Sequence, residues 1–317
     1  MSFDATKEFA DYGDTVILYT GYDRMLSFIL EDGKTHQTKY GAVKHASLVG
    51  KRYGTRVQCA NGWIYMLHPT PELWTLCLPH RTQILYTTDI SMVIFNLDLR
   101  PGCKVAEAGT GSGSLSHALI RSILPTGHLY TFEYHQERSE KAREEFSQHH
   151  LSDYVTVTHR DVCGEGFQLD HCVDAVFLDL PKPWECIKSA KDAIKKEGGR
   201  ICTFSPCIEQ VQRSCEELIR NGFTDLTTVE CLTRKFNVQN AKLPNILLED
   251  PLPAAEQHSC DVSDVKKMKA EITASPSDSK SEKTNGSLKT HCFSAAAPVI
   301  TMPGHTGFLT FASVFPV

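Results

Sequence analysis

A glycine-rich turn between an apolar strand and an amphipathic helix constrains this chain more than any other feature. Residues 104–114 read Lys-Val-Ala-Glu-Ala-Gly-Thr-Gly-Ser-Gly-Ser, with glycines at the alternate positions 109, 111 and 113. Leucines and isoleucines at helical spacing follow between Leu115 and Ile123. Glycine permits a sharp turn and a close approach by a ligand, and the free N–H groups of the following helix can face that ligand. The stretch therefore predicts the ligand-binding turn of an α/β domain.

Strands and helices alternate along the chain after this turn. The pattern predicts strands at 104–108, 128–133, 155–159, 174–179, 199–204, near 224–231 and at 306–312, and helices at 114–124, 136–149, 184–195 and 207–221. Such alternation is typical of βαβ units in a mainly parallel sheet, which binds ligands at the carboxyl ends of its strands. A helix over 89–99, with Thr88 as its N-cap, is expected to cover this sheet.

Acidic residues stand at or just after the ends of four predicted strands, namely Glu107, Glu133, Asp161 and Asp179. In nucleotide-binding sheets an acid after the second strand hydrogen-bonds ribose hydroxyls. The order E-x-G-x-G-x-G differs from the dinucleotide motif G-x-G-x-x-G and resembles the first motif of S-adenosylmethionine-dependent methyltransferases. Each acid alone is equally explained as a solvated charge or a turn cap. Grouped around one glycine turn, the four predict an S-adenosylmethionine site.

The first part of the chain has a different pattern. β-rich segments at 15–19, 25–30, 55–59 and 63–67, separated by Gly, Asp and Asn turns, predict a small β-barrel-like domain over residues 1–71. Residues 72–100 are expected to form a proline-broken connector and the covering helix. The methyltransferase-type α/β domain is then expected over 101–240 together with 304–317.

The N-terminal region also contains a long stretch without acidic residues. From Gly33 to Pro71 there is no Asp or Glu, but there are six Lys and Arg residues, interleaved with Tyr40, Tyr53 and Trp63. A solvated loop face and a surface that contacts phosphate groups both explain this pattern. The formal net charge of the whole chain is −5, which argues against a general nucleic-acid binder.

Composition bears on disorder, on membrane and targeting segments, and on the state of the cysteines. Residues 250–300 are polar and aperiodic, which predicts a disordered insertion before the last strand. No apolar run is long enough to span a membrane, and the N-terminus resembles neither a signal peptide nor a transit peptide. Twelve cysteines without a C-x-x-C pair predict reduced thiols in a cytosolic or nuclear protein, and no metal site.

Six motifs carry a closer resemblance, at 69–75, 78–86, 107–114, 132–138, 179–184 and 204–212. They resemble the tRNA (adenine-N1)-methyltransferase family that acts at position 58 of the T-loop, and specifically its eukaryotic catalytic subunit. The resemblance covers about 1–240 and 304–313. It implies a Rossmann-like class I methyltransferase domain, S-adenosyl-L-methionine as cofactor, tRNA as substrate, and nuclear localisation. It also implies a non-catalytic paralogous subunit in a heterotetramer of two plus two. Messenger RNA hairpins that mimic the T-loop are further candidate substrates.

The motifs and the resemblance together imply roles for individual residues, with Asp179 as the catalytic residue. The expected cofactor-binding residues are Leu85, Glu107, Gly109, Gly111, Ser112, Gly113, Ser114, Glu133, Arg138, Asp161, Val162 and Asp179. The expected tRNA-binding residues are Thr20, Gly21, Tyr22, Lys39, Tyr40, Gly62, Trp63, Gln83, Tyr86, Thr110, Ser205, Pro206 and Gln210. No metal is expected.

The implied reaction needs a stronger nucleophile than free adenine provides. Asp179 can accept a hydrogen bond from the N6 amino group, which raises the electron density at N1. The base must leave its stack to react, and Tyr86 and Phe204 are candidates to stack on it, although Phe204 also suits core packing.

Three alternatives remain. A non-catalytic tRNA-binding scaffold conflicts with the intact glycine turn, and an isoaspartyl-type protein methyltransferase leaves the N-terminal β domain unexplained. A mitochondrial relative of the same family conflicts with the acidic N-terminus.

Overall fold

The computed structural model describes residues 3, 6–21, 24–244, 290–301 and 304–316. The chain divides into two compact units, one formed by Met1–Thr233 with Gly304–Val317 and the other by Arg234–Pro303. The first unit contains the N-terminal β region and the α/β domain, and the second contains a long hairpin. Residues 234–240, which the sequence placed in the α/β domain, therefore fall in the second unit.

The N-terminal region is built from short antiparallel strands. These are β1 Thr15–Tyr19, β2 Met25–Ile29, β3 Thr35–Thr38, β4 Gly41–Lys44, β5 Thr55–Cys59 and β6 Gly62–Leu67. β2, β1, β6 and β5 form one sheet in that order, and β3 and β4 form a separate hairpin. Val16, Leu18, Ile64 and Met66 are fully buried in its core. The small N-terminal β domain is confirmed. β3 was missed because its sequence is polar, and β4 because it has only four residues.

The α/β domain is organised on a seven-stranded sheet. The remaining strands of the chain are β7 Lys104–Ala108, β8 His128–Glu133, β9 Val155–His159, β10 Ala175–Leu178, β11 Gly199–Ser205, β12 Thr224–Glu230, β13 Phe236–Pro244, β14 Thr290–Pro298 and β15 Phe308–Val314. The sheet order is β12-β15-β11-β10-β7-β8-β9, and β15 is antiparallel to both of its neighbours. The strand order reverses between β7 and β10, which is where such sheets bind ligands.

Helices cover both faces of this sheet. They are α1 Pro71–Thr75, α2 Thr87–Asn96, α3 Ser114–Ile123, α4 Gln136–Gln148, α5 Val162–Glu165, α6 Ile187–Ala193 and α7 Ile208–Arg220, with a 3₁₀ turn at Pro183–Cys186 before α6. Successive strand residues point to opposite faces. Val105 and Phe177 accordingly pack in the cluster that includes α2 and α3, whereas Ala106 and Val176 pack with α6. The predicted Rossmann-like architecture is confirmed.

Several predicted boundaries differ from those in the structure. Helix α2 begins at Thr87 with Tyr86 as its N-cap and ends at Asn96, so the N-cap prediction for Thr88 and the extension to residue 99 were wrong. The last strand begins at Phe308 rather than at residue 306. Among the described residues, no helix combines the length and the apolar surface needed to cross a lipid bilayer.

The second unit corrects the predicted disordered insertion. β13 and β14 pair antiparallel over their whole length, from Phe236 opposite Pro298 to Pro244 opposite Thr290. Residues 290–298 are therefore a strand, which the small side chains of Ser-Ala-Ala-Ala did not suggest. The rest of that prediction, over 250–289, lies outside the described residues.

The packing of α3 against the sheet predicts that truncating a side chain on α3 destabilises the protein far more than truncating one on α7. Leu119 is fully buried in the sheet-facing cluster, whereas Ile219 on α7 is 64% exposed. We expect Leu119→Ala to lower the free energy of unfolding by about 2–5 kcal/mol because it leaves a cavity. Ile219→Ala should change it by about 0.5 kcal/mol or less. Urea titrations monitored by circular dichroism measure both, and equal losses would contradict this description of the core.

Candidate active site

The glycine turn after β7 has a backbone that only glycine adopts readily. Gly109, Gly111 and Gly113 have φ values of 96°, 54° and 77°. A Cβ atom at Gly109 would lie 2.3 Å from the backbone oxygen of Asp179, and one at Gly111 would lie 2.7 Å from the hydroxyl of Thr82. The alternate glycines thus allow the left-handed backbone of the turn, and two of them also allow Asp179 and Thr82 to lie close to it.

Glu107, the acid before the turn, is buried below it. Its Oε2 accepts hydrogen bonds of 2.7 Å from the hydroxyls of Ser116 and Thr131. The pKa of this carboxyl group is raised to about 7, mainly by burial. The two hydroxyls lower the pKa, and the nearby charges of Asp179 and Glu133 contribute to raising it. Glu107 therefore ties β7 to α3 and β8. It is not among the residues that line the cavity described below, and its predicted contact with the cofactor stays a prediction.

Glu133, at the end of β8, connects the turn to α4. Its Oε2 accepts the N–H of Gly111 at 3.0 Å, and its Oε1 accepts the N–H of His135 at 3.0 Å and Arg138 Nη2 at 2.8 Å. A carboxylate offers about four lone-pair positions. Oε2 therefore retains a lone pair for a ligand hydroxyl.

A cavity of about 920 Å³ opens at the carboxyl ends of the parallel strands. This volume is in the upper part of the range of roughly 300–1,000 Å³ for ligand pockets. Among the predicted cofactor-binding residues, its walls include Leu85, Gly109, Gly111, Glu133, Arg138, Asp161 and Asp179. Among the predicted tRNA-binding residues they include Gln83, Tyr86, Pro206 and Gln210, and Phe204 lines the cavity as well.

Asp179 lies at the centre of this arrangement, directly after β10. Its backbone N–H donates to the carbonyl of Ala108 at 2.9 Å, which fixes it beside the glycine turn. Burial raises the pKa of its carboxyl group to about 6, and the negative charge of Glu133 contributes in the same direction. At neutral pH the carboxylate is mostly charged and can accept an N–H group.

Other predicted site residues are buried behind the cavity wall, namely Thr110, Ser112, Gly113, Ser114, Val162 and Ser205. The Ser112 hydroxyl accepts the N–H groups of Arg81 and Thr82 at 2.8 and 3.0 Å. The Ser114 hydroxyl donates to the carbonyl of Leu85 at 3.0 Å, and Thr110 bonds to Thr131. The side chains of Ser112, Thr110 and Ser114 thus support the turn and its connector. Their predicted contacts with cofactor or tRNA stay predictions. Val162 packs in the core, and Ser205 is fully buried.

A polar network that no sequence pattern indicated supports the glycine turn through its backbone carbonyl groups. His117 Nδ1 donates to the carbonyl of Gly113 at 2.6 Å, so its Nε2 is the acceptor for His149 Nδ1 at 2.8 Å. Arg81 pairs with Glu145 at 2.9 Å and donates to the carbonyl of Gly111 at 3.3 Å. These residues are dispersed over the sequence, and no local pattern identified them.

The same network contains a group that could hold a metal ion. The ligand atoms of His117, Glu145 and His149 lie within 4.8 Å of one another. The guanidinium of Arg81, 2.9 Å from Glu145, opposes a cation there, and the two histidines already bond to each other. We therefore assign the group a structural role, and the predicted absence of a metal stays a prediction.

The predicted tRNA-binding residues of the N-terminal domain gather at one group of turns. The ammonium of Lys39 lies 4.8 Å from the Tyr40 ring centre, and a Cβ atom at Gly62 would lie 2.7 Å from the same ring. A Cβ atom at Gly21 would lie 3.9 Å from the Lys39 ammonium, and the guanidinium of Arg56 stacks 3.9 Å from the Trp63 ring.

Two further residues were predicted in this group. The Thr20 hydroxyl donates to the carbonyl of Arg24 at 2.7 Å, and Tyr22 lies outside the described residues. Lys34 and Arg52 pair with Glu31 and Glu8, at 2.7 and 3.2 Å. These pairs neutralise part of the positive charge of the acid-free stretch, whereas Lys39 and Arg56 lie over aromatic rings.

The close approach at Gly109 predicts a specific loss of cofactor binding. Gly109→Ala introduces both an unfavourable φ angle and a steric clash with the backbone of Asp179. We therefore expect S-adenosylmethionine affinity to fall by about tenfold or more. Gly50→Ala is a matched control, because Gly50 also has a positive φ of 74° but open space around its Cβ position. Isothermal titration calorimetry measures both affinities. Native affinity in Gly109→Ala would contradict this role of the turn.

The buried histidines predict a loss of stability in acid. Burial lowers the pKa of His117 to about 4 and that of His149 to about 2, while unfolding returns each to about 6.5. The unfolded chain thus gains protons below pH 6.5, and stability falls from there toward pH 4 and below. At pH 5 each histidine should cost on the order of 2 kcal/mol. Urea midpoints at pH 7.5 and 5.0 measure this loss, which should shrink in His149→Gln; an unchanged loss would contradict it.

Comparison with known proteins places the chain in a family. The model of the family described as tRNA methyltransferase complex GCD14 subunit matches residues 62–314, and that of a TrmI-like N-terminal domain matches residues 10–57. A tRNA (adenine(58)-N(1))-methyltransferase catalytic subunit of Dictyostelium discoideum is 39% identical over 310 residues, 96% of each chain. The catalytic subunit of Candida albicans is 35% identical over 340 residues, covering 100% of this chain and 99% of that one.

Two solved structures have the same fold. A SAM-dependent O-methyltransferase of Thermotoga maritima superposes with a TM-score of 0.72 at 25% identity, over 97% of this chain and 95% of that one. The tRNA (m1A58) methyltransferase TrmI of Aquifex aeolicus superposes with a TM-score of 0.66 at 22% identity, over 96% and 98%, which supports the fold. With the glycine turn, the strand-end acids and both domains accounted for, the chain belongs to the GCD14 family of tRNA methyltransferase subunits.

Proposed function

We propose that this chain is the catalytic subunit of an S-adenosylmethionine-dependent tRNA methyltransferase that methylates N1 of adenine 58 in the T-loop. The observation that carries the proposal is the position of Asp179, which lines the cavity directly beside an intact glycine turn. Relatives that match this chain over nearly its whole length are named as catalytic subunits of this enzyme.

The residues present fit the cofactor. The glycine turn leaves open backbone at the switch point of the sheet, and Glu133 Oε2 retains a lone pair that suits a ribose hydroxyl. Asp161, at the end of β9, accepts the N–H of Cys163 and lines the cavity where an adenine edge would be recognised. S-adenosylmethionine supplies an electrophilic methyl group on a sulfonium, and the protein has to hold the acceptor in line with it.

Asp179 supports the attack by adenine N1. Its carboxylate accepts a hydrogen bond from the N6 amino group, which shifts electron density toward N1 as the bond to the methyl group forms. The product base carries a positive charge, which the same carboxylate stabilises. Because protonation removes this acceptor, the pKa of about 6 means that turnover should decline as the pH falls through that value.

The alternatives explain fewer of the observations. A scaffold subunit has no need for three left-handed glycines beneath a strand-end carboxyl group. A protein methyltransferase of the isoaspartyl type does not account for the N-terminal domain, whose exposed turns present Lys39 and the Arg56–Trp63 stack. Cations and aromatic rings together suit an RNA backbone and its unstacked bases.

We further propose a non-catalytic paralogous subunit as partner, in a heterotetramer of two plus two, and a nuclear location. The relatives named as catalytic subunits imply that other subunits exist. The chain itself has a net charge of −5, so a polyanionic substrate calls for additional positive surface from the partner.

The proposal predicts the behaviour of Asp179→Asn. The chain and its paralogous partner are co-expressed and incubated with unmodified tRNA and labelled S-adenosylmethionine. We expect the wild-type complex to methylate the T-loop adenosine, mapped by arrest of reverse transcription. In Asp179→Asn the rate should fall by about 10²-fold or more because the amide is a weaker acceptor for N6–H.

The matched control is Asp170→Asn, because the Asp170 side chain is 97% exposed. It should retain wild-type activity. S-adenosylmethionine affinity should remain within about threefold in both variants, since the amide keeps the shape of the carboxyl group. Near-normal turnover in Asp179→Asn would reject its role, and methylation of another base or of protein would reject the proposed substrate.

A further inference from the structure

Asp89 is a buried acid in the cavity wall that the reaction described above does not use. It is the third residue of α2, only 3% exposed, and it lines the same cavity as Asp179. Burial raises the pKa of its carboxyl group, against the opposing effects of the Cys231 thiol, its own backbone N–H and the Thr306 hydroxyl. Burial of this carboxyl group is therefore only partly compensated by the groups around it.

One oxygen of this carboxyl group has no partner. Within the described part of the chain, Asp89 Oδ1 is buried and accepts no hydrogen bond. Buried acceptors are nearly always paired, because an unpaired one has lost its hydration without compensation. A ligand that donates a hydrogen bond in this part of the cavity would satisfy Oδ1.

The topology of the sheet places Asp89 across the cavity from Asp179. Asp179 follows β10, and Phe204 is near the end of the adjacent β11. Thr306, close to Asp89, precedes β15 on the other side of β11. With strands about 4.8 Å apart, β10 and β15 are separated by roughly 10 Å.

Phe204 lies between the two acids. Its ring packs so closely on Gly307 that a Cβ atom there would lie 2.4 Å from the ring. His305 closes this end of the cavity, because its two ring nitrogens bond to Glu230 and to the carbonyl of Pro206. A purine lying over Phe204 would thus have one acid at each end.

The chemistry of an adenosine inside an RNA chain limits what Oδ1 can receive. Such a nucleoside has two kinds of hydrogen-bond donor, the N6 amino group and the ribose 2′-hydroxyl, because its 3′ and 5′ oxygens are esterified. The N6 group is at the end of the base that Asp179 serves in the proposed function. The ribose is attached at the opposite end, toward Asp89.

We propose that Asp89 is a second substrate-binding carboxyl group, whose Oδ1 accepts a hydrogen bond from the 2′-hydroxyl of the target adenosine. This inference rests on the proposed function, since it takes adenosine as the substrate. Asp89 then makes the site selective for a ribonucleotide, as a 2′-hydroxyl contact is what distinguishes RNA from DNA at one position.

The test combines a change in the enzyme with a change in the substrate. The complex of the chain with its paralogous partner is given tRNA with adenosine or 2′-deoxyadenosine at position 58, and kcat/KM is measured for each. We expect the wild-type complex to lose about tenfold or more with the deoxy substrate, as for a lost hydrogen bond to a charged group. Asp89→Ala should lose less than about twofold between the two substrates, because the acceptor is already absent.

If Asp89 had a purely structural role, its substitution would not change the ratio of the kcat/KM values for the two substrates. Asp89→Asn, which keeps a neutral acceptor oxygen, should restore part of the discrimination, to a level between those of Asp89→Ala and the wild type. Ser91→Ala is a control on the exposed side of the same helix and should discriminate as the wild type does. If Asp89→Ala does not fold, Asp89→Leu removes the acceptor while filling the space.

The outcomes separate the two proposals. Failure of the wild-type complex to methylate the all-ribose tRNA would reject the proposed function. Methylation without discrimination against the deoxy substrate would overturn the inference about Asp89, and this arm needs no variant. Discrimination that persists unchanged in both Asp89→Ala and Asp89→Leu would also overturn it.

Discussion

The close approach of Gly109 to the backbone of Asp179 is the contact on which the site depends. A Cβ atom at Gly109 would lie 2.3 Å from that carbonyl oxygen, so the two central strands can end side by side only where one residue has no side chain. The same contact places the turn and the acid at one edge of the sheet. The places that we propose for the cofactor and the acceptor base are therefore adjacent because of a constraint on the backbone.

Three carboxyl groups surround this contact, and the fold treats each differently. Glu107 is sealed beneath the turn with two hydroxyl donors, which suits a structural tie. Glu133 accepts hydrogen bonds from the Arg138 guanidinium and from two backbone N–H groups, with one lone pair remaining. Asp179 lines the cavity, with a raised pKa of about 6. Three carboxyl groups at neighbouring strand ends thus differ in their burial and in the donors that they meet. The roles of binding group and reactive group are the ones we propose for Glu133 and Asp179.

Much of this could be predicted from the sequence because the signals were local. Apolar runs of β-branched residues marked the strands of the sheet, and three alternate glycines before an amphipathic helix marked the turn. The unpredicted parts depend on contacts between distant residues. His117, on α3, and His149, directly after α4, become a pair only in the folded structure. Asp89 reaches the cavity only when α2 packs against β15. Strand β3 was missed because its residues, Thr35 to Thr38, are polar. Strand β14 was missed because its alanines favour helices over strands.

The hairpin of the second unit has a consequence for how this family can vary in length. Pro244 and Thr290 are paired neighbours, so the chain leaves and re-enters the hairpin at one point. The entropy of closing a flexible loop grows only with the logarithm of its length. A segment inserted between such neighbours can therefore be lengthened or shortened at little cost to the strands that carry it. The hairpin end is accordingly a natural position for a fused reporter domain, which could be attached there without touching either terminus.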